Sequence, residues 1–108
     1  MKMGVVERNP DIVWRDEPEE RDAIVTALDA GDECAAERGW VIIVDAGQMH
    51  ELNLIAGEIW MLCDGTLDAE GIALKLAEAY DAPAEEILPD VLGFVNASRA
   101  RGWLLPGE

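Results

Sequence analysis

The sequence is poor in the residues from which most catalytic and metal centres are built. Its 108 residues include one histidine, His50, and two cysteines, Cys34 and Cys63, which lie in unrelated contexts. It contains no Cys-x-x-Cys pair, Gly-x-Ser-x-Gly turn, phosphate-binding glycine loop or His-Glu-x-x-His motif. We therefore predict that the protein is not an enzyme, that it has no catalytic residue, metal ligand or cofactor, and that both thiols are reduced.

Basic residues are also scarce. Eight lysines and arginines stand against 23 aspartates and glutamates, which gives a net charge of −15. Affinity for nucleic acid comes largely from cations that displace counterions, so this excess disfavours nucleic acid and anionic lipid as partners. The apolar runs Trp40–Val44 and Ile59–Cys63 are far shorter than the roughly 20 residues of a membrane span. The stretch after Met1 lacks the apolar region of a signal peptide. We expect a cytoplasmic protein.

The remaining composition is that of a folded domain. Half of the residues are apolar and 29% are charged, which is typical of globular proteins and not of disordered tails. A chain of this length fits one hydrophobic core. We therefore predict a single domain over residues 1–108.

The first half of the chain carries strand signals and one helix signal. A β-branched and aromatic run predicts a first strand at residues 12–15, and Pro18 with its acidic neighbours predicts a helix over residues 18–30. Residues 40–53 predict a hairpin around Asp45-Ala46-Gly47. We expect a three-residue loop with Gly47 left-handed, because a two-residue turn would force Ala46 to positive φ. Trp40, Ile42, His50 and Leu52 would then share the face that meets the core.

The second half of the chain is helical. Apolar residues at helical spacing predict helices over residues 54–64, 68–80 and 83–101. Pro89 should either kink the last helix or mark its true start. The predicted fold class is α+β. We expect a winged-helix-like module in which a three-stranded antiparallel sheet packs on a three-helix bundle, with an extra helix inserted between strand 1 and the hairpin.

Several short stretches in the second half of the chain form an ordered set. They are Glu51-Leu52-Asn53, Ile59-Trp60-x-Leu62-Cys63-Asp64-Gly65, Ile72 and Leu76, Tyr80-Asp81-Ala82-Pro83, Asp90-Val91-Leu92-x-Phe94-Val95 and Arg101-Gly102-Trp103-Leu104. Together they resemble the PqqD family, over residues 40 to 105. The resemblance implies a peptide chaperone, or recognition element, that binds the leader of a ribosomally made precursor peptide and presents it to a radical S-adenosylmethionine maturase. The segment from Asp16 to Gly39 resembles PqqD-like proteins that are encoded beside other radical maturases.

An edge strand would supply the binding mechanism. If Met49 to Asn53 lies at the sheet edge, an extended peptide can add to it as a further strand. The resemblance implies a groove between that strand and the last helix. One margin of this helix carries Leu88, Leu92 and Arg99, and the other carries Ile87, Phe94, Ser98 and Arg101; the sequence does not select between them. The predicted peptide-binding residues are Met49, His50, Glu51, Leu52, Leu88, Leu92, Val95 and Arg99.

Two alternatives from other classes stay open. A winged-helix DNA-binding regulator would need a basic recognition helix, and the last helix offers Arg99 and Arg101 against three acidic residues. A small thiol or metal protein would use Cys34, His50 and Cys63. The exposed edge, with Trp14 or Trp103 nearby, would also permit a homodimer.

Overall fold

The computed structural model describes residues 4–106, and the chain divides into two compact units, residues 11–58 and residues 1–10 with 59–108. The predicted lack of a signal peptide concerns a stretch that begins at Met1–Met3, outside the described residues. The prediction of a single domain stays a prediction. The strands are β1 (Val5–Glu7), β2 (Val13–Asp16), β3 (Val41–Asp45), β4 (Gln48–Leu52) and β5 (Asp64–Asp68), and the α-helices are α1 (Pro18–Asp29), α2 (Leu54–Leu62), α3 (Ala69–Tyr80) and α4 (Ala84–Ala100).

The unit of residues 11–58 contains a three-stranded antiparallel sheet in the order β2-β3-β4. The helix α1 begins at Pro18, carries acidic residues in its first turn and buries Ile24. A short 3-10 helix spans Glu33–Glu37 and buries Ala35. The strand predicted at residues 12–15 lies at Val13–Asp16, but it is not the first strand, because β1 precedes it.

The hairpin turn differs from the prediction. Ala46 and Gly47 both have positive φ, at 52° and 80°, and Asp45 pairs directly with Gln48. The loop therefore has two residues, and the preference for three was wrong. Turns of this kind match the right-handed twist of the strands they join. A positive φ at Ala46 costs about 1–2 kcal/mol, a cost that the pairing and burial of β3 in this register offset.

The shorter loop shifts the register by one residue. His50 pairs with Ile43, and Leu52 pairs with Val41. Val41 and Ile43 are fully buried, whereas Ile42, predicted to face the core, lies half-buried on the opposite face of the sheet. In the observed register Val41 and Ile43 therefore line the inner face, and Ile42 and Val44 lie on the outer face. Trp40 and Leu52 are buried as predicted.

The other unit pairs β1 with β5 in an antiparallel sheet and packs α3 against α4. The sequence pattern did not indicate either of these strands. Its core residues are Val6, Ile59, Trp60, Cys63, Ile72, Ala73, Leu76, Val91, Val95, Trp103 and Leu104. Asp68 caps α3, because its carboxylate accepts a hydrogen bond of 2.7 Å from the Gly71 amide.

The last helix begins at Ala84 and runs through Pro89. The alternative that it starts at Pro89 was therefore wrong. The proline removes one hydrogen bond, to the carbonyl of Glu85, and Glu85 is exposed, so water can satisfy that carbonyl. The α+β class predicted from the sequence is confirmed, and the winged-helix description stays a prediction. Within residues 4–106, no helix is both long and apolar enough to cross a membrane.

Candidate functional site

The strand β4 lies at the edge of its sheet. Within the described residues its only strand partner is β3, since the order of the sheet is β2-β3-β4. The sequence-based proposal required this placement, because a strand paired on both sides could not accept a peptide. One long side of β4 is thus open to a further strand.

The register identifies the backbone groups that point away from β3. On the other side of β3, the Glu17 amide donates 2.8 Å to the Trp40 carbonyl, so by alternation the even-numbered residues of β3 hydrogen-bond to β2. Odd-numbered residues of β3 therefore bond to β4, through the pairs that Ile43 and Val41 form with His50 and Leu52. The N–H and C=O groups of Met49 and Glu51 consequently point outward. We call these four backbone groups the docking edge.

Side chains along β4 alternate between the two faces of the sheet. His50 is half-buried and Leu52 is 8% exposed, on the inner face with Val41 and Ile43. Met49 is 68% exposed and Glu51 is exposed, on the outer face. The four predicted strand residues are therefore of two kinds. Met49 and Glu51 are accessible in backbone and side chain, and His50 and Leu52 hold the strand to the sheet.

The outer face of the sheet carries an apolar row that the sequence reading missed. Val13 pairs with Val44, and Val44 pairs with Met49, so the three side chains lie side by side across the strands. Val13 is 67% exposed. A depression of about 260 Å³ on this face is lined by Val13, Trp14, Arg15, Ile42, Val44 and Met49. The alternation of the strands would have indicated this row if the hairpin register had been correct.

The end of β4 is held by Trp40 and the start of α2. The indole Nε1 of Trp40 donates 3.2 Å to the Leu54 carbonyl, and a Cβ built on Gly57 would lie 2.2 Å from that nitrogen. Asn53 caps α2, because its Oδ1 accepts a hydrogen bond of 3.0 Å from the Ala56 amide. The indole thus packs directly on the helix backbone. This contact fixes where the strand stops and the helix begins.

The predicted residues of α4 belong to the other unit and differ in their environment. Leu88 is half-buried and Leu92 is 42% exposed, on successive turns of the helix. Val95 is 2% exposed and belongs to the core. The guanidinium of Arg99 donates 3.1 Å to the Leu105 carbonyl and 3.4 Å to the Val5 carbonyl. Leu88 and Leu92 are therefore the accessible members of the predicted set on this helix.

The opposite margin of α4 is less accessible. Ile87 and Phe94 are half-buried, and Ser98 is 2% exposed. The guanidinium carbon of Arg101 lies 4.8 Å from the centre of the Trp103 ring. Because Arg101 stacks on an aromatic ring and Arg99 binds carbonyl groups, both cations of the helix have intramolecular contacts. The helix gives no support to a phosphate-binding surface.

The two thiols have contrasting environments. Cys34 is exposed, and Cys63 is fully buried with its Sγ donating 3.1 Å to the Ile59 carbonyl. Burial raises the pKa of the Cys63 thiol to about 12. A thiol held in the protonated form is a poor nucleophile and a poor metal ligand. Among residues 4–106, no group of three or more His, Cys, Asp or Glu side chains is arranged to hold a metal ion.

Two curated proteins are similar to this chain in sequence. A relative from Methylococcus capsulatus, the PqqA binding protein, is 38% identical over 69 residues, which cover 64% of this chain and 71% of that protein. ABC transporter A family member 8 from Dictyostelium discoideum is 28% identical over 105 residues, and the alignment covers 83% of this chain but 12% of the transporter. The chain thus spans only a small part of that relative.

A solved structure has a similar fold. It is the solution NMR structure of the PqqD truncation of Methylobacterium extorquens PqqCD, described as a functional and stand-alone RiPP recognition element. The TM-score is 0.62 at 17% identity, over 94% of this chain and 89% of the other. The family described as Coenzyme PQQ synthesis protein D (PqqD) matches residues 35–104. Because this match covers more than half of the sequence, the chain belongs to the PqqD family.

Proposed function

We propose that this protein is a non-catalytic recognition element that binds the leader of a ribosomally synthesised precursor peptide by β-strand addition. In this proposal the leader pairs with β4, and the bound peptide is presented to a radical S-adenosylmethionine maturase in the cytoplasm. Membership of the PqqD family supports a peptide partner, as do the PqqA binding protein and the recognition element among its relatives. The observation that carries the proposal is the open docking edge of β4.

The docking edge can supply a useful part of the binding free energy. Met49 and Glu51 offer two amide donors and two carbonyl acceptors, and each hydrogen bond to a peptide contributes about 0.5–1.5 kcal/mol net. These bonds do not depend on the side chains of the peptide. Side-chain contacts must therefore select the correct leader.

Accessible side chains among the predicted residues are proposed to provide that selection. On β4 these are Met49 and Glu51, with His50 and Leu52 supporting the strand. On α4 they are Leu88 and Leu92, and we propose that Val95 and Arg99 support that helix from the core and from the backbone carbonyls. Apolar side chains that are partly exposed on a folded protein gain most from burial by a ligand.

A proline at position 49 tests the strand-addition mechanism. Because the Met49 amide points away from β3, Met49→Pro removes a docking donor without removing a bond of the hairpin. We expect it to lower peptide affinity at least about 10-fold, since one hydrogen bond is lost and the ring blocks the approaching strand. Met49→Ala keeps the amide and is the matched control, with an expected loss of only a few-fold.

Fluorescence anisotropy would measure the binding. The probes are labelled synthetic PqqA and the short peptides encoded beside this gene, and circular dichroism checks that each variant is folded. Binding of one probe that is lost in Met49→Pro and kept in Met49→Ala supports the proposal. Equal affinity of the two folded variants contradicts strand addition, and failure of every probe to bind contradicts the assigned function. Size-exclusion chromatography would show whether the free edge forms a homodimer instead.

A further inference from the structure

The outer face of the sheet is organised in rows that end at the docking edge. The first row runs from Val13 through Val44 to Met49 and is apolar. The second row runs from Arg15 through Ile42 to Glu51. In each row, neighbouring side chains lie within contact distance across the strands. A peptide strand added at β4 would place one residue at the end of each row.

The two row ends differ in chemistry. Met49 is 68% exposed and ends the apolar row. Glu51 is exposed and forms no ion pair within residues 4–106, and the arginine of its row, Arg15, pairs with Glu17 at 3.5 Å. The first position therefore favours an apolar side chain on the peptide, and the second favours a cation.

The absence of a side chain at Gly39 leaves room for the side chain of Glu51. A Cβ built on Gly39 would lie 2.6 Å from the Cβ and 2.7 Å from the Oε1 of Glu51. Real Cβ atoms do not approach so closely, so any larger residue at this position would push the carboxylate aside. The glycine thus lets Glu51 lie against the chain on the outer face of the sheet, at the end of its row.

We infer that the docking edge selects peptides in which a lysine or arginine precedes an apolar residue by two positions. This inference rests on the proposed function. The peptide strand is antiparallel to β4, as are all pairs in this sheet, and antiparallel pairing is the more stable arrangement. The residue opposite Glu51 then comes two positions before the residue opposite Met49. The residue between them points to the inner face, on the side of His50.

Selection from a displayed library of random short peptides tests this pattern. Peptides selected on the wild-type protein should show Lys or Arg two positions before an apolar residue. Peptides selected on Glu51→Lys should show Asp or Glu at the same position. For a synthetic wild-type selectant, exchanging its cation for Glu should lower affinity about 5-fold, and Glu51→Lys should recover that loss. Higher salt should weaken the preference, because the pair is exposed.

Two controls separate the possible outcomes. Glu33→Lys changes the net charge equally but lies in the 3-10 helix outside the sheet, so it should leave the selected pattern unchanged. Met49→Pro should abolish binding of the selected peptides. If that loss is seen but Glu51→Lys selects the same sequences as wild type, the inferred peptide pattern is overturned and strand addition stands. The same conclusion follows if the apolar residue precedes the cation in the selected peptides. If the selected peptides bind Met49→Pro as well as wild type, strand addition itself fails.

Discussion

The contact between Trp40 and Gly57 predicts that an alanine at position 57 lowers the stability of the protein, although helix propensity alone predicts the opposite. Gly57 lies inside α2, where alanine is ordinarily about 1 kcal/mol more favourable than glycine. A Cβ on Gly57, however, would lie 2.2 Å from Nε1 and 2.6 Å from Cε2 of Trp40. The indole must therefore move, and it is buried at 3% exposure. We expect Gly57→Ala to destabilise the protein.

The magnitude follows from two losses. Overpacking a buried site typically costs about 1–3 kcal/mol. Displacing the indole also breaks its hydrogen bond to the Leu54 carbonyl, which contributes about 1 kcal/mol. After subtracting the gain in helix propensity, the net destabilisation of Gly57→Ala is about 1–3 kcal/mol. Urea denaturation followed by tryptophan fluorescence and circular dichroism would measure it.

Gly93 provides a matched control. It also lies inside a helix, α4, but a Cβ built on it has no atom within 4 Å. Gly93→Ala should therefore stabilise the protein by about 1 kcal/mol through propensity alone. Opposite signs for the two variants support the packing of Trp40 on α2. A stabilised Gly57→Ala variant would refute it.

A double-mutant cycle identifies the indole as the cause. Trp40→Phe removes the ring edge that the new Cβ would meet. Gly57→Ala should then be less destabilising in the Trp40→Phe background than in the wild type, with a coupling energy of about 1 kcal/mol or more. Additive effects of the two substitutions would show that the destabilisation arises elsewhere.

Two further predictions concern Cys63 and Leu92. Burial raises the pKa of Cys63 from 9.0 to about 12. As the pH rises, the unfolded chain therefore loses this proton before the folded protein does. Between pH 9 and pH 12 the free energy of unfolding should fall by about 1.4 kcal/mol per pH unit. Urea denaturation at several pH values should show a shallower fall for Cys63→Ala, and identical slopes would contradict the assignment. Leu92→Glu should weaken peptide binding at least about 10-fold in anisotropy titrations, because it places a charge in an apolar contact. The fold should persist, because the Leu92 side chain is 42% exposed. Unchanged affinity in the folded variant would remove α4 from the peptide site.

Local sequence signals predicted the helices better than the strand pairing. The apolar spacing and the cap at Asp68 are local features, and the structure has α3 starting directly after that residue. The pair formed by β1 and β5 joins Val5 to Asp68, more than half the chain apart. The stretch Asp64–Asp68 has the composition of a turn, and Gly65 has a φ of 86°. Nothing in either stretch alone indicates a strand, because the pairing is supplied by a distant partner.

The hairpin register depended on a single residue. A positive φ is unfavourable at Ala46, and this argument predicted the longer loop. The structure has the unfavourable φ of 52°, and in the register that it permits, Val41 and Ile43 are fully buried opposite Leu52 and His50. A local backbone cost of about 1–2 kcal/mol is smaller than the free energy gained by burying Val41 and Ile43 on the inner face. The backbone preference of Ala46 and the packing of β3 thus favoured different loops, and the packing had the larger effect.

The residues of β4 differ in how freely they can be substituted. In a strand, the direction of the backbone hydrogen-bonding groups alternates with the same period as the side chains. The residues whose backbone groups hydrogen-bond to β3, His50 and Leu52, are therefore also those whose side chains point to the inner face, and Met49 and Glu51 are free of both constraints. Substitutions at Met49 and Glu51 can alter peptide specificity with little effect on stability, since surface changes are usually within about 0.5 kcal/mol. In the register first predicted from the sequence, His50 and Leu52 would also face the core, and it is the odd-numbered and even-numbered residues of β3 whose roles would be exchanged. A scan of β3 that measures stability would distinguish the two registers, because Val41 and Ile43 are the sensitive positions in the observed one and Ile42 would be sensitive in the other.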